Sequence, residues 1–442
     1  MKTVCHNQQL FSNSGKKEIW FGFNGGNITS DGGSMLVTRA MKKLKLAELM
    51  KECITDPRDP SKTRHTIEEL IKQRLTLMVL GYEDCNDSNH LRNDPMIKSA
   101  LERLPETGKE LGSQSTLSRF ENSVTLKDIV RLRALLLDRY VENVKNSGRK
   151  QVILDIDTTD DETYGNQEGS LFNGYYQETC YSELLVFDGE TGAMITAKLR
   201  PGNVHTSVNS TAVIHQIVYA LRKASPVIDI IVRGDSGFGV PEMMAYCERN
   251  GVKYILGIKS NKRLERKSKK LSKRAKSRYS NLLKPVKYYG HYEYKAEKWP
   301  CSRKGFVKVE YNESGLNTRY IITNMEMKSP KAGYAFYGKR GQMENYIKEA
   351  KNGMKSDRLS CHRFTANYFR LMLTAFAYGV MLEIRNQLTG TELEKAEANT
   401  IRLKLFKVGG QIIETVRKVW VRFSSSFEHQ ELFLKVYSGL KE

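Results

Sequence analysis

The sequence lacks the features that would mark a secreted, disulfide-bonded or membrane-spanning chain. Its seven cysteines (Cys5, Cys53, Cys85, Cys180, Cys247, Cys301 and Cys361) are scattered, odd in number and never spaced C-x-x-C. That is the usage of a reducing compartment, with no disulfide framework. Cys85 and His90 come nearest to a zinc pattern, but no second Cys or His pair lies close by, so no zinc site is expected. Long apolar runs are absent too. The longest uncharged one, residues 371–382, has twelve residues between Arg370 and Glu383; a membrane span needs ~20, so this reads as a buried helix. Residues 1–20 are polar and hold no apolar core of a secretory signal, so none is expected. No repeat of period ~20–50 appears, which argues against a solenoid. Acids are in deficit, 50 against 71 Lys and Arg, a formal charge of +21. Such an excess points to a polyanionic partner, nucleic acid first. What is present is core material: 40% of the 442 residues are hydrophobic. This excludes a wholly disordered basic tail, and at ~100–200 residues per domain it suggests about two to four domains.

Along the chain, the first ~150 residues read mostly as helix, with apolar residues at three-to-four spacing in 34–50, 66–80, 96–104 and 126–144. Asn146-Ser147-Gly148-Arg149 breaks the pattern as a domain boundary would. From Gln151 the texture changes. Strands are expected at 152–154, ending in Asp155-Ile156-Asp157, and at 181–187, 193–199, 227–232 and 253–258. Helices are expected at 208–223 and 241–249. This order indicates a mixed sheet with helices on its faces. Residues 259–278 then hold eleven Lys or Arg and one acid, Glu265. Weak strand-like runs follow near 288–294, 306–311 and 319–323. Helix resumes at about Tyr337, breaks near Asn352-Gly353 and runs to about Leu388; the remainder reads as helix with a basic face.

Three acidic places attract interest. Asp155 and Asp157 end one expected strand, and by alternation they face the same side. Asp235 ends another, before Ser236-Gly237-Phe238. The carboxyl ends of strands in an open α/β sheet are where sites form, although Asp also often serves in caps and turns. The third place is Tyr337, Arg340, Glu344 and Lys351, at helical offsets 0, 3, 7 and 14. On one continuous helix these share a stripe about 60° wide. Cations and a tyrosine hydroxyl suit phosphates; an acid among them suits a metal ion. Three distant carboxylates can hold two divalent cations, which activate a water or a 3′-hydroxyl and stabilise the leaving oxygen at phosphorus. Oxygen ligands favour Mg²⁺ or Mn²⁺ over zinc. The plainer reading is a solvated face with i,i+4 pairs such as Glu344 with Lys348.

These residues resemble a known family. Tyr337-x₂-Arg340-x₃-Glu344-x₆-Lys351 looks like the Y-R-E-K signature of bacterial DDE transposases of the insertion-sequence family numbered 4 and its relatives. The family numbered 1380 is closer still. The stretches that resemble it are Gly81-Tyr82-Glu83-Asp84 with Asn86-Asp87, Leu91-Arg92-x-Asp94-Pro95, Asp155-Ile156-Asp157-x-Thr159, Gly165-x-Gln167-x-Gly169, Leu199-Arg200-Pro201-Gly202-Asn203 and Arg233-x-Asp235-Ser236-Gly237-Phe238. The resemblance runs from about residue 20 to 390 and thins in 259–330 and in the last fifty residues.

The resemblance implies an α/β, ribonuclease H-like mixed sheet with flanking helices at 149–259 and 333–390, interrupted by a β-rich basic insertion at 260–332. An N-terminal helical DNA-binding region, 1–148, precedes it, and a helical C-terminal region, 391–442, follows. It also implies that Asp157, Asp235 and Glu344 are the catalytic and metal-binding triad for two Mg²⁺ ions, with Mn²⁺ able to substitute. Spacing alone does not separate Asp155 from Asp157; the family's Asp-Thr pattern favours Asp157, which Thr158 follows. Tyr337, Arg340 and Lys351 would contact DNA near the scissile phosphate, and Lys348 is a further candidate. Arg119, in Ser113-Gln114-x-Thr116-x-Ser118-Arg119, belongs to a family-like stretch that could reach phosphates at a helix start or simply cap the helix. Lys262 and Arg263 stand for the basic run, read as a DNA contact with a solvated, partly disordered loop as the alternative. The expected function is cut-and-paste DNA transposition by a bacterial cytoplasmic, nucleoid-associated enzyme. It would act on double-stranded inverted-repeat and target DNA, as a homodimer in a synaptic complex. The competing functions are a structure-specific nuclease without strand transfer and a non-catalytic repressor.

Overall fold

The computed structural model describes residues 9–297 and 299–441. The polar reading of the chain's start therefore lies, for residues 1–8, outside the described residues. The chain forms two compact units, 1–124 with 376–442, and 125–375.

The first unit opens with a hairpin, β1 (Gln9–Ser14) and β2 (Lys17–Phe21), followed by β3 (Ile28–Thr29). Its helices are α1 (Ser34–Lys43), α2 (Leu46–Cys53), α3 (Ile67–Leu80), α4 (Ser88–Leu91), α5 (Pro95–Ala100) and α6 (Gln114–Ser123). Eleven of the fourteen residues of α3 are buried, which makes it the core helix of this unit. Thr66 and Glu69 cap its start reciprocally. At its other end Arg402 donates to the carbonyls of Met78 and Val79 in the last turn. Arg74 of α3 is buried against Glu121 at 2.6 Å.

The C-terminal part of this unit departs from the helical expectation for 391–442. After α14 (Ala398–Ile401) the chain forms β13 (Gly410–Glu414) and β14 (Val419–Phe423), with β13 between β14 and β3 in a three-stranded sheet; α15 (Gln430–Gly439) follows. The physical signal is Ile412 and Ile413 opposite Val421 and Trp420, β-branched and aromatic residues that fit a pleated surface better than a helix.

The second unit is built on one nine-stranded sheet. Helix α7 (Leu126–Asn146), with a Thr125/Asp128 capping box, leads into β4 (Gln151–Glu162). Then come β5 (Leu171–Asn173), β6 (Glu178–Asp188), β7 (Met194–Pro201), α8 (Ser210–Ala224), β8 (Asp229–Gly234), α9 (Pro241–Arg249) and β9 (Lys253–Ile258). The chain continues with α10 (Lys262–Leu282), β10 (Val286–Tyr294), β11 (Arg303–Asn312), β12 (Gly315–Thr323), α11 (Pro330–Gly338), α12 (Gly341–Lys348) and α13 (Phe364–Asn386), whose last part belongs to the first unit. Strand order is β10-β11-β12-β9-β8-β4-β6-β5, with β7 also paired to β6. β4, β8 and β9 run parallel, and the remaining pairs are antiparallel. The expectation of a mixed α/β sheet is met.

The three weak strand-like runs are real strands, and β12 joins them to β9 in the same sheet. The start of that stretch is neither strand nor disordered loop. It is the 21-residue helix α10, N-capped by Asn261. Leu264, Ser268, Leu271 and Ala275 recur at four-three-four spacing and turn toward the sheet. The cations occupy the other sides. The density of charge hid this sparse apolar seam.

Alternation along the strands divides the sheet's chemistry. Val152, Leu154 and Ile156 of β4, with Leu184, Val186, Ile230 and Val232, enter the main core beneath residues of α7, α8, α9 and α10. The opposite side of β4 and β8 carries Asp155, Asp157, Asp161, Arg233 and then Asp235. No helix among the described residues is long and apolar enough to cross a membrane.

The two faces of α10 make a testable contrast. Leu264→Ala, at a fully buried position, should cost about 2–5 kcal/mol, read from urea unfolding. Lys269→Gln on the exposed side should stay within about 0.5 kcal/mol.

Candidate active site

The parallel ladder between β4 and β8 pairs Asp155 with Arg233 and ends at Ile156 with Gly234. Asp157 and Asp235 are the next residues on the two neighbouring strands. β4 does not stop there; it runs on to Glu162, paired with β6. Asp157 is thus the point where β4 loses its parallel neighbour, rather than a strand end as the sequence suggested. Asp235 sits in the turn that follows β8, where its Oδ1 accepts from the Gly237 amide at 2.8 Å, and the fully buried Phe238 anchors that turn.

Asp155 and Asp157 share a face but not an environment. Asp155 is fully buried and accepts two bonds from Arg233, to Nε at 2.5 Å and Nη2 at 2.6 Å. Arg233, equally buried, donates its remaining nitrogen to the Phe336 carbonyl at 2.9 Å. Asp155 is therefore occupied structurally. Gly189 is required beside this pair, since a Cβ there would lie 2.7 Å from both Arg233 Nη2 and Asp155 Oδ2. Asp157 instead is partly exposed and pairs with a cation from a distant part of the chain. Its Oδ1 accepts from the Thr158 amide and its Oδ2 from Arg340 Nη1 at 2.7 Å. Burial pushes its carboxyl pKa up; the Arg340 guanidinium opposes this and the charge of Asp235 adds to it.

The signature residues do not lie on one continuous helix. Ser329 caps α11, with Pro330 in its first turn, and α11 ends at Gly338. Arg340 directly precedes α12, which holds Glu344 and Lys348, and a wider π-type turn, Glu349–Gly353, holds Lys351. The common stripe expected from offsets is thus broken at residues 339–340. The segments nonetheless bring Tyr337 and Arg340 to the acids. Arg340 Nη2 lies 3.6 Å from Glu344 Oε1, so one guanidinium bridges Asp157 and Glu344. Glu344 is mostly exposed, its side chain at 69%. Tyr337 is half-buried against Gly257, where a Cβ would come within 2.9 Å of its hydroxyl and 2.8 Å of the Ser236 amide. Burial raises the Tyr337 pKa, Arg340 opposes the rise, and Asp235 and Asp157 add to it.

Among the described residues no three His, Cys, Asp or Glu side chains converge closely enough to hold one metal ion. The oxygen-only donor set of Asp157, Asp235 and Glu344 is nevertheless the right chemistry for a hard divalent cation. Arg340 now supplies the positive charge between two of the three.

An open groove of about 600 Å³ adjoins Asp235, Tyr337, Arg340 and Glu344. Its further walls carry Lys259, the first residue of the basic run, and three cations that the sequence reading missed: Lys308, Arg319 and Lys331. Lys308 and Arg319 are direct cross-strand partners, a relation visible only once the β11–β12 hairpin register is drawn. Arg233 lies within one of the family-like stretches, yet the sequence alone gave it no role. Lys262 and Arg263 are exposed at the start of α10, and Lys348 is exposed in the last turn of α12. The ammonium of Lys351 turns onto β4, donating to the Asp160 carbonyl. Arg119 belongs to the first unit, exposed on α6, where it lines a separate cleft of about 710 Å³ with Arg58, Lys62, Arg64 and Arg92.

The chain belongs to the DDE transposases: the family described as Transposase DDE domain group 1 matches residues 11–442. Among solved structures the chain is similar to one titled "Cryo-EM structure of piggyBac transposase synaptic complex with hairpin DNA (SNHP)". The two share 12% identity and a TM-score of 0.43 over 86% of this chain and 80% of that one. No curated protein matches.

Breaking the buried clamp should be costly. Arg233→Met leaves Asp155 buried without its partner and should lose about 3–5 kcal/mol, whereas Arg233→Met with Asp155→Leu should recover much of that loss. Urea-unfolding midpoints of the full chain check both.

Proposed function

We propose that this chain is the transposase of a bacterial insertion sequence of the kind numbered 1380, with a ribonuclease H-like core. On this reading it binds the terminal inverted repeats of its element, cleaves the DNA strands and joins the freed 3′-hydroxyls to target DNA. One observation carries the reading. Asp157 and Asp235 leave adjacent parallel strands side by side, and Arg340 links Asp157 to Glu344 on a separate helix. Three acids from distant parts of the chain, two joined by one guanidinium and the third in the cationic groove beside it, suit phosphodiester chemistry better than a solvated helix face does.

Asp157, Asp235 and Glu344 are the residues that would hold Mg²⁺, or Mn²⁺ in its place. When bound there, two such ions supply an activated water or 3′-hydroxyl and stabilise the leaving oxygen. The protein's own part is positioning. The Asp155–Arg233 pair holds the two strands and the end of α11. Tyr337 and Arg340 face the scissile region, and the hydroxyl and guanidinium suit phosphate oxygens. Arg340 must yield Asp157 and Glu344 for the acids to act together, and a phosphate is a natural acceptor for it. Lys348 and the cations of the groove extend the phosphate-binding surface. Lys262, Arg263 and the exposed face of α10 serve the DNA further along, and Arg119 with its neighbouring cations serves an N-terminal DNA-binding region. Handling two ends calls for a homodimer in a synaptic complex, acting at the nucleoid in the cytoplasm.

Asp157→Asn, Asp235→Asn and Glu344→Gln should each lower cleavage of end DNA about 10²–10³-fold or more while leaving end binding measurable by gel shift. Chelation should abolish cleavage and added Mg²⁺ restore it. Joined products with a supercoiled plasmid are expected; cleavage without joining would identify a nuclease instead. Replacing Lys262, Arg263 and Lys269 by Gln should flatten the dependence of log K on log salt by about 0.9 for each phosphate no longer neutralised.

A further inference from the structure

Past Asp157, β4 continues along the same face to Asp161. There it meets Glu183 of β6, whose direct partner is Thr159, so Asp161 and Glu183 are diagonal neighbours on one side of the sheet. Both are buried, at 1% and 0% exposure. None of their four carboxyl oxygens accepts a hydrogen bond from a donor among the described residues. Two ionised carboxylates cannot persist side by side in such a place. They can bond to each other only by sharing a proton. Burial pushes both up, and the Lys351 ammonium, 3.8 Å from Asp161 Oδ1, favours the charge on Asp161 and so the proton on Glu183.

Among the described residues one cation is ion-paired with this pair. Lys351 Nζ lies 3.8 Å from Asp161 Oδ1 and 3.8 Å from Asp160 Oδ1, and it donates to the Asp160 carbonyl. It is presented by the π-type turn that directly follows α12, the helix of Glu344. The other charges that face the pair are Asp160 from β4 and Asp357 from the segment after the turn, and Glu178 of β6 lies against Asp160.

We propose that Asp161 and Glu183 are positioning residues for the active centre. They share one proton, their remaining negative charge seats the Lys351 ammonium, and that seat fixes the Glu344 helix to the strand carrying Asp157. This gives Lys351 a tethering role where the family resemblance implies a DNA contact. The effect on cleavage rests on the function proposed above; the seat itself does not.

The shared proton makes the two acids unequal. Glu183→Gln keeps a neutral donor of the same shape and leaves Asp161 charged, so cleavage of end DNA stays close to wild type. Asp161→Asn removes the charge that faces Lys351. It should lower the cleavage rate about 10- to 100-fold, the cost of a small misplacement, with end binding unchanged. Lys351→Met should match it, Lys351→Arg should recover part of the loss, and Lys351→Met with Asp161→Asn should be no worse than either alone. Two readouts need no activity. Wild type should show the infrared carbonyl band of a buried carboxylic acid, and Glu183→Gln should lose it. Amide exchange in residues 349–353 should speed up in Asp161→Asn and in Lys351→Met. A folded-state pKa above the unfolded one means that the native chain holds the extra proton, so stability is lost as pH rises. Glu183→Gln should flatten that fall in Tm. Equal impairment of the two acid variants, or unchanged cleavage and exchange in Asp161→Asn, overturns the proposal. If wild type fails to cleave end DNA at all, the proposed function fails, and the seat is judged by the exchange and infrared results.

Discussion

The buried guanidinium of Arg233 is the constraint on which the rest of the second unit depends. Two of its nitrogens are taken by Asp155 and the third by the Phe336 carbonyl. It therefore joins the strand before Asp157, the strand before Asp235 and the end of the helix that carries Tyr337. A fully buried ion pair gains little over an apolar filling of the same shape, but it tolerates no missing partner. What it contributes is placement: three segments from distant parts of the chain meet in one arrangement, with the acids on the face away from the main core.

Above that clamp, charge is sorted by position. The excess of +21 is not spread evenly. α10 turns Leu264, Ser268, Leu271 and Ala275 inward and its lysines and arginines outward. Lys308, Arg319 and Lys331 line the groove beside Asp235 and Glu344. At the centre the sign reverses, and Arg340 balances acids drawn from two elements. A basic surround around an acidic centre suits a polyanion that is gripped broadly and attacked at one phosphate.

Much of this was legible in the sequence where a pattern repeats or a motif is dense. Pro241–Arg249 and Lys253–Ile258 have the expected bounds, because strand alternation and a first-turn proline are local signals. The common face of Asp155 and Asp157 followed from the same alternation. Their different fates did not, since only the β4–β8 register brings Arg233 against Asp155. The signature stripe was misread because helix geometry was carried through residues 339–340, where the chain turns between two helices. The strands at Gly410–Glu414 and Val419–Phe423 form a hairpin, and they were missed because the pairing of the first with β3 is a long-range relation that a basic-face reading cannot see.

The central claim is that Asp157, Asp235 and Glu344 hold the divalent cations. Metal-centred cleavage tests it most directly: Fe²⁺ replaces Mg²⁺ on the full chain bound to end DNA, and peroxide with ascorbate then releases radicals that cut the polypeptide beside the metal. The account predicts cuts clustered near residues 157, 235 and 344, suppressed by excess Mg²⁺ and lost in Asp157→Asn. Cuts centred elsewhere, or a pattern indifferent to Mg²⁺ and to that substitution, would contradict it.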